Sequence, residues 1–131
     1  MNKRAQMRES NKKAREFLFG EGWDFLWFKT HADARKKRGL DNVYTADGKI
    51  TPCLDPYNLF DGCGYDSAGV FWWFQIKTGN WPNEDQITAF SKGKLGCCIM
   101  AINVKPPKGK RKTYEIQVRE YEDGEKIEEV H

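Results

Sequence analysis

Asp55-Pro56-Tyr57-Asn58-Leu59-Phe60-Asp61-Gly62-Cys63-Gly64-Tyr65-Asp66-Ser67-Ala68-Gly69-Val70-Phe71-Trp72-Trp73-Phe74-Gln75-Ile76-Lys77-Thr78-Gly79 is two apolar runs joined by a turn sequence. Asp61 closes a short apolar run, and Gln75-Ile76-Lys77 closes a longer one. Alternate side chains of a strand share a face, so Gln75 and Lys77 point one way and Ile76 the other. If the two runs pair as a hairpin around Asp66-Ser67-Ala68-Gly69, then Asp61, Gln75 and Lys77 converge on one patch. A carboxylate, a neutral oxygen ligand and a lysine together can hold a divalent cation beside a water, as metal-assisted phosphodiester hydrolysis requires.

Outward from this stretch, Tyr57 to Gly64 and Val70 to Thr78 read as two core strands. Gly62 and Gly64 within the first of them mark a bulge or a close approach by another backbone or a ligand. Upstream, residues 2–20 are rich in helix formers, with Met7, Ala14, Phe17 and Leu18 on one face. Gly20 and Gly22 end that helix, and Trp23 to Lys29 reads as a strand. Residues 30–56 form a long polar stretch, functional or partly disordered. Within it, Asp47-Gly48 predicts a small hairpin between Tyr44-Thr45 and Ile50-Thr51. Downstream, Asn83-Glu84-Asp85 predicts a helix start, with Ile87, Phe90 and Leu95 as its apolar side. Leu95 to Val104 reads as a buried central strand, reached from the third strand by a parallel crossover. Thr113 to Tyr121 alternates like an edge strand, and the acidic tail beyond Glu120 is expected to fray.

The chain has 131 residues, 39% hydrophobic and 31% charged, as expected of one globular domain with one core. Aromatics reach 14% and cluster at Trp23 to Phe28 and Phe71 to Phe74. Core-forming strands account for them, with a stacking platform for unpaired bases as the sharper reading. No apolar run has membrane-spanning length, and no apolar segment follows the basic start as in a secretory signal. Cys53, Cys63, Cys97 and Cys98 lack Cys-x-x-Cys spacing, and His31 and His131 are the only histidines. A zinc site is therefore disfavoured, and free thiols in a reducing cell are expected. Residues 1–38 carry eleven Lys/Arg against five Asp/Glu, whereas residues 39–104 carry four against seven. Lys105 to Lys112 add five positive charges without a negative one. Basic segments around an acidic centre suit a protein that grips phosphates at its edges, or they only solvate the ends.

The order helix, three strands, helix, strand, with Asp61 and Gln75-x-Lys77, resembles the PD-(D/E)XK nuclease superfamily. Within it, the chain is similar to small archaeal and phage members related to Holliday-junction resolvases, over about residues 11–104. The resemblance implies a single α/β domain with a mixed central sheet and an αβββαβ restriction-endonuclease-like core. A basic loop at 105–112 and a C-terminal edge strand with an acidic tail at 113–131 would follow. It further implies Mg²⁺ or Mn²⁺ as cofactor, with Asp61, Gln75 and the Ile76 backbone carbonyl as ligands. Lys77 would orient the attacking water or stabilise charge on the phosphate. Family members usually add a glutamate from the first helix. The matching position here is Asn11, with Glu9 and Glu16 as the nearest acids, both away from the apolar face, and Glu9 is the candidate. Asp55 and Asp66 flank Asp61 but are also natural turn residues.

Lys29, Arg35, Lys36, Lys37 and Arg38, with His31 beside them, are candidate DNA contacts. Gln86 is similar to an auxiliary glutamine of some exonuclease relatives and is otherwise a surface residue. The implied activity is a metal-dependent DNA endonuclease acting on branched or structured DNA in recombination, repair or phage replication. An intracellular setting follows, in a prokaryote or a phage-infected host, with a possible homodimer and no membrane partner. Gln75, where the family commonly has an acid, and the missing helix glutamate favour the alternative, a non-catalytic nucleic-acid-binding protein on the same fold. A plain interaction domain whose aromatic strands only build core is the third reading.

Overall fold

A computed structural model of the chain describes residues 3–28, 42–44, 50–52 and 59–130. The elements are α1 (Lys3–Gly20), β1 (Asp24–Trp27), β2 (Asn42–Tyr44), β3 (Ile50–Pro52), β4 (Gly62–Tyr65) and β5 (Phe71–Thr78). They continue with α2 (Glu84–Ser91), β6 (Cys98–Lys105), β7 (Glu115–Glu122) and β8 (Glu125–Val130). Six strands form one mixed sheet in the order β1-β4-β5-β6-β7-β8. Its neighbours are antiparallel, except for the parallel pair β5 and β6. The strands β2 and β3 pair with each other, Val43 opposite Thr51, as the Asp47-Gly48 signal predicts. Among the described residues the fold is thus α/β with a mixed sheet and two helices.

The aromatic runs build core on both sides of the sheet. On one side α1 lays Ala14 and Leu18 against Trp72, Phe74 and Ile76 of β5 and Met100, Ile102 and Val104 of β6. Trp23 meets Phe74 edge-on at 5.3 Å, a favoured aromatic geometry. On the other side α2 brings Ile87 to Phe60, Ile99, Ala101 and Tyr121. Phe60 stacks on Trp73 at 4.8 Å. The helix α2 is capped by Asn83, whose side chain accepts from Gln86 N at 3.2 Å. It ends at Ser91, so Leu95 lies beyond it in a turn and is 100% exposed rather than on its apolar side. Among the described residues, no helix is long and apolar enough to cross a membrane.

Two expectations for the C-terminal part are corrected. β7 is an interior strand, paired with β6 on one flank and β8 on the other. The tail expected to fray is β8 and forms the edge. Asp123 (φ 48°) and Gly124 (φ 77°) both occupy the left-handed region, which makes the tight turn joining the two strands. That turn is fastened to the end of α2. Gly93 N donates to Asp123 Oδ1 and Gly124 N to Ser91 Oγ, each at 2.8 Å. Lys105 belongs to β6, and the basic segment after it folds back through a bridge between Lys108 and Arg111. Arg111 donates to Glu115 Oε2 at 2.8 Å.

The glycines of β4 reflect a close neighbour. A Cβ built on Gly64 would lie 2.4 Å from Asp24 O and 2.7 Å from Phe25 Cα, and one on Gly62 would lie 2.7 Å from Leu26 O. The backbone of β1 therefore occupies the space that side chains would need.

The β4–β5 turn is organised by Asp66. Its Oδ1 accepts from Ala68 N and Val70 N, both at 2.9 Å, and its Oδ2 from Trp72 Nε1 at 3.1 Å. The Val70 N–H above all, with the Trp72 and Ala68 donors, holds the Asp66 carboxyl below the ordinary carboxylate range. A depressed folded-state value stabilises the fold above the unfolded value of about 3.9 and loses that contribution as pH falls through the folded one. Asp66→Ala is expected to lower the thermal midpoint at neutral pH and to reduce its acid dependence below about pH 4. Parallel acid melts of both proteins check this, and identical slopes would refute it.

Candidate active site

Three hydrogen bonds fix Asp61 where β1, β4 and β5 meet. Its N–H donates to Phe74 O at 2.8 Å, and its carbonyl accepts from Phe28 N at 2.9 Å. Its Oδ2 accepts from Ile76 N at 2.9 Å. The regular register ends with Gly62 opposite Phe74, and the Asp61 N–H shares that Phe74 carbonyl as the chain bends away from the ladder. The carboxylate takes the Ile76 N–H that a regular partner strand would meet with a backbone carbonyl. In an extended strand the N–H and C=O of one residue point to the same flank, so the Ile76 carbonyl also faces the Asp61 side.

Strand alternation places the neighbours. Trp72, Phe74 and Ile76 are buried on the α1 side, while Trp73 packs on the α2 side. Gln75 and Lys77 therefore share the α2 side, flanking the residue whose N–H Asp61 holds. Lys77 is exposed. Gln75 is half-buried, and its Oε1 is enclosed without a hydrogen-bond partner. An enclosed, unsatisfied acceptor costs about 1–3 kcal/mol, so this oxygen suits a donor or a cation.

The first helix reaches the same end of β5. Ser10 Oγ and Thr78 Oγ1 are hydrogen-bonded at 2.5 Å, one residue beyond Lys77. Glu9 precedes Ser10, and its Oε2 is enclosed without a partner. This corrects the expectation that Glu9 faces away from the packed side. Helical periodicity of apolar residues missed it because the inner face of α1 is polar here, with Ser10 and Asn11 buried. Asn11 Oδ1 is enclosed without a partner as well. Glu16 is exposed and pairs with Lys13 at 3.5 Å, which separates it from this cluster.

The oxygens here are hard donors of the kind Mg²⁺ takes. Among the described residues, no three His, Cys, Asp or Glu side chains gather into one metal-binding group. Mg²⁺ commonly uses one or two carboxylates and completes its shell with water and substrate phosphate. The Asp61 carboxylate, the Gln75 amide oxygen and the Ile76 carbonyl fit that pattern, and Glu9 is the acid adjoining Ser10, which bonds to Thr78.

Other readings divide. Gln86 is exposed, as a surface residue would be, and Asp66 is engaged in its turn. Cys63 and Cys98 are buried and Cys97 is half-buried, all three as free thiols. Burial pushes the thiols of Cys97 and Cys98 up, so neither is a ready nucleophile. Lys29, His31, Arg35, Lys36, Lys37, Arg38, Cys53 and Asp55 lie outside the described residues. Sequence reading missed Asn103 and Gln117, buried on the α2 side, and Arg119, whose guanidinium stands 3.9 Å from the Trp81 ring centroid. An Asn inside the apolar run of 95–104 was the available signal.

Comparison of the chain with protein-family models, with curated proteins and with solved structures finds no match in any of the three.

Proposed function

We propose that the protein is a metal-dependent DNA endonuclease of the PD-(D/E)XK kind, resolvase-like, acting on branched or structured DNA. The observation that carries this reading is the Asp61 carboxylate held on the Ile76 N–H, between Gln75 and Lys77. The helix, three-strand, helix, strand order of the main sheet supports it, and so does the parallel β5–α2–β6 crossover. On this reading that part of the sheet is the restriction-endonuclease-like core, β7 and β8 extend it, and the β2–β3 hairpin is an insertion.

Asp61, Gln75 and the Ile76 carbonyl would hold Mg²⁺ or Mn²⁺, with Glu9 as the further acid. The bound ion would supply Lewis-acid polarisation of the scissile phosphate and neutralise its charge. Lys77 reaches the phosphate from the same face and donates hydrogen bonds to the oxygens on which charge accumulates. The Ile76 N–H fixes the Asp61 carboxylate before substrate arrives, which lowers the cost of ordering it in the transition state. Basic residues of the 29–38 segment and of the 105–112 turn would bind the DNA backbone, with a salt dependence set by the number of phosphates neutralised.

A panel of labelled four-way, flapped, duplex and single-stranded DNAs, incubated with Mg²⁺ or Mn²⁺, tests the reading. Cleavage of branched substrates at discrete positions is expected, and loss of all cleavage on removal of the metal. Gln75 favours a second reading, a DNA-binding protein on the same fold, because an amide brings no charge to the ion. Salt-dependent DNA binding without cleavage of any substrate would select it. Gln75→Glu separates the two further. Adding a carboxylate is expected to lower the Mg²⁺ midpoint of activity by about tenfold. It should also destabilise the metal-free protein, since an enclosed charge without a partner is costly. An unmoved midpoint excludes Gln75 from the metal's ligands.

A further inference from the structure

Two in-register rows of side chains cross the α2 side of the sheet at the C-terminal ends of β5 and β6. One runs Gln75, Ala101, Arg119 and the next Lys77, Asn103, Gln117. The same face is apolar further along, at Ile99 and Tyr121. Asn103 is only 2% exposed. Its Nδ2 donates to Gln117 Oε1 at 3.4 Å. Its Oδ1 is enclosed and has no hydrogen-bond partner.

An amide carries its nitrogen and oxygen on opposite sides. With the nitrogen committed to β7, the oxygen is presented toward β5, where the register neighbour is Lys77. A lysine ammonium has three N–H donors and no acceptor, so an oxygen is the complement it needs. The reversed amide would turn its own N–H groups toward the ammonium. In the bond as it stands Gln117 Oε1 accepts, and so selects the Asn103 nitrogen. Lys77 is exposed, and its side-chain bonds rotate in picoseconds to nanoseconds, so its end is free to sample the rim of the sheet beside Asn103.

We propose that Asn103 is a positioning residue for Lys77: its Oδ1 accepts an ammonium N–H and holds the charged end at the rim beside Gln75 and Asp61, with Gln117 locking the amide. The catalytic consequence rests on the nuclease reading, whereas the Lys77–Asn103 contact does not. Charge placed in advance contributes to the transition state without reorganisation at the moment of reaction. That assigns a use to an acceptor that would otherwise be a net cost to the fold.

The test compares ¹⁵N-labelled wild type, Asn103→Val and Gln117→Leu by NMR of the lysine ammonium groups, with the Lys77 signal assigned by its loss in Lys77→Arg. In the wild type the Lys77 signal is expected to stand apart from those of the other exposed lysines and to exchange more slowly with water. In Asn103→Val it should merge with them, and in Gln117→Leu it should move part of the way. The thermal midpoint of Asn103→Val should fall modestly, since Gln117 Oε1 loses its donor, and Gln117→Leu is the control for that loss. On cleavable DNA, Asn103→Val should lower kcat by about tenfold to a hundredfold with DNA affinity unchanged. Combining it with Lys77→Ala should then cost nothing beyond Lys77→Ala alone. A wild-type Lys77 signal like that of any exposed lysine, or one unmoved by Asn103→Val, overturns the proposal. If Asn103→Val does not fold, the wild-type spectrum and Gln117→Leu decide. A displaced signal that collapses in the variants, in a protein that cleaves no DNA, upholds the positioning role and refutes the nuclease reading instead.

Discussion

Asp61→Asn is expected to abolish DNA cleavage while leaving folding and DNA binding in place. The asparagine keeps an oxygen that can accept the Ile76 N–H, the bond that seats the side chain against β5. The backbone bonds to Phe74 and Phe28 do not involve the side chain at all. The charge alone is lost. Cleavage should fall at least on the order of a hundredfold to a thousandfold, the scale seen when one group that stabilises transition-state charge is removed. DNA affinity, which rests on several phosphate contacts, should change little. Measuring both at one salt concentration, with a thermal melt as control, separates the chemistry from the fold. Wild-type cleavage by the Asn variant, in a preparation free of contaminating nuclease, would remove Asp61 from the mechanism. A loss of folding would show instead that the carboxylate's main role is to close the ladder.

Gly64→Ala is expected to have the largest effect on stability. Its added methyl would meet backbone, Asp24 O at 2.4 Å and Phe25 Cα at 2.7 Å, and backbone cannot turn aside as a flexible side chain can. Relief requires β1 to separate from β4, which breaks the ladder that holds Trp27 and Phe25 against the core. Overpacking of this kind costs about 3 kcal/mol or more. For a chain of this size the thermal midpoint should drop by about ten degrees, or the protein should fail to accumulate folded. Gly20→Ala is the control, because a methyl added there would meet nothing within 4 Å and its backbone is not in the left-handed region. A melt of Gly64→Ala within a degree or two of the wild type would show that β1 does not press on β4 as described.

The part of the fold around Asp61 was legible because short-range rules govern it. Asp66 to Gly69 supply their own turn bonds, and the two-residue period fixes the common side of Gln75 and Lys77. The parallel crossover follows from a strand, a capped helix and a fully apolar strand in succession. The C-terminal strands were misread for a local reason as well. Asp123-Gly124 is a strong hairpin signal, but the acidic residues around it suggested a solvated tail. Glu9 was misjudged because an apolar stripe locates only the greasy part of a helix. The buried Ser10 and Asn11 belong to a polar seam that hydropathy does not mark. Asn103 was hidden in the same way, inside a run whose apolar character was the stronger signal. What links these misses is that buried polar groups are set by tertiary partners, which sequence spacing does not encode.

The charges of β8 bear on self-association. As the last strand of the sheet it offers a row of backbone donors and acceptors to any chain that can lie alongside, the geometry from which edge-to-edge stacking grows. Its sequence, Glu125-Lys126-Ile127-Glu128-Glu129-Val130, is dominated by acids. With three glutamates against one lysine, a second copy docking there would meet a strand of the same net negative charge, which works against approach. The charge on this border of the sheet therefore disfavours a twin. If two copies act together on the two strands of a junction, charge favours a contact built on some other surface.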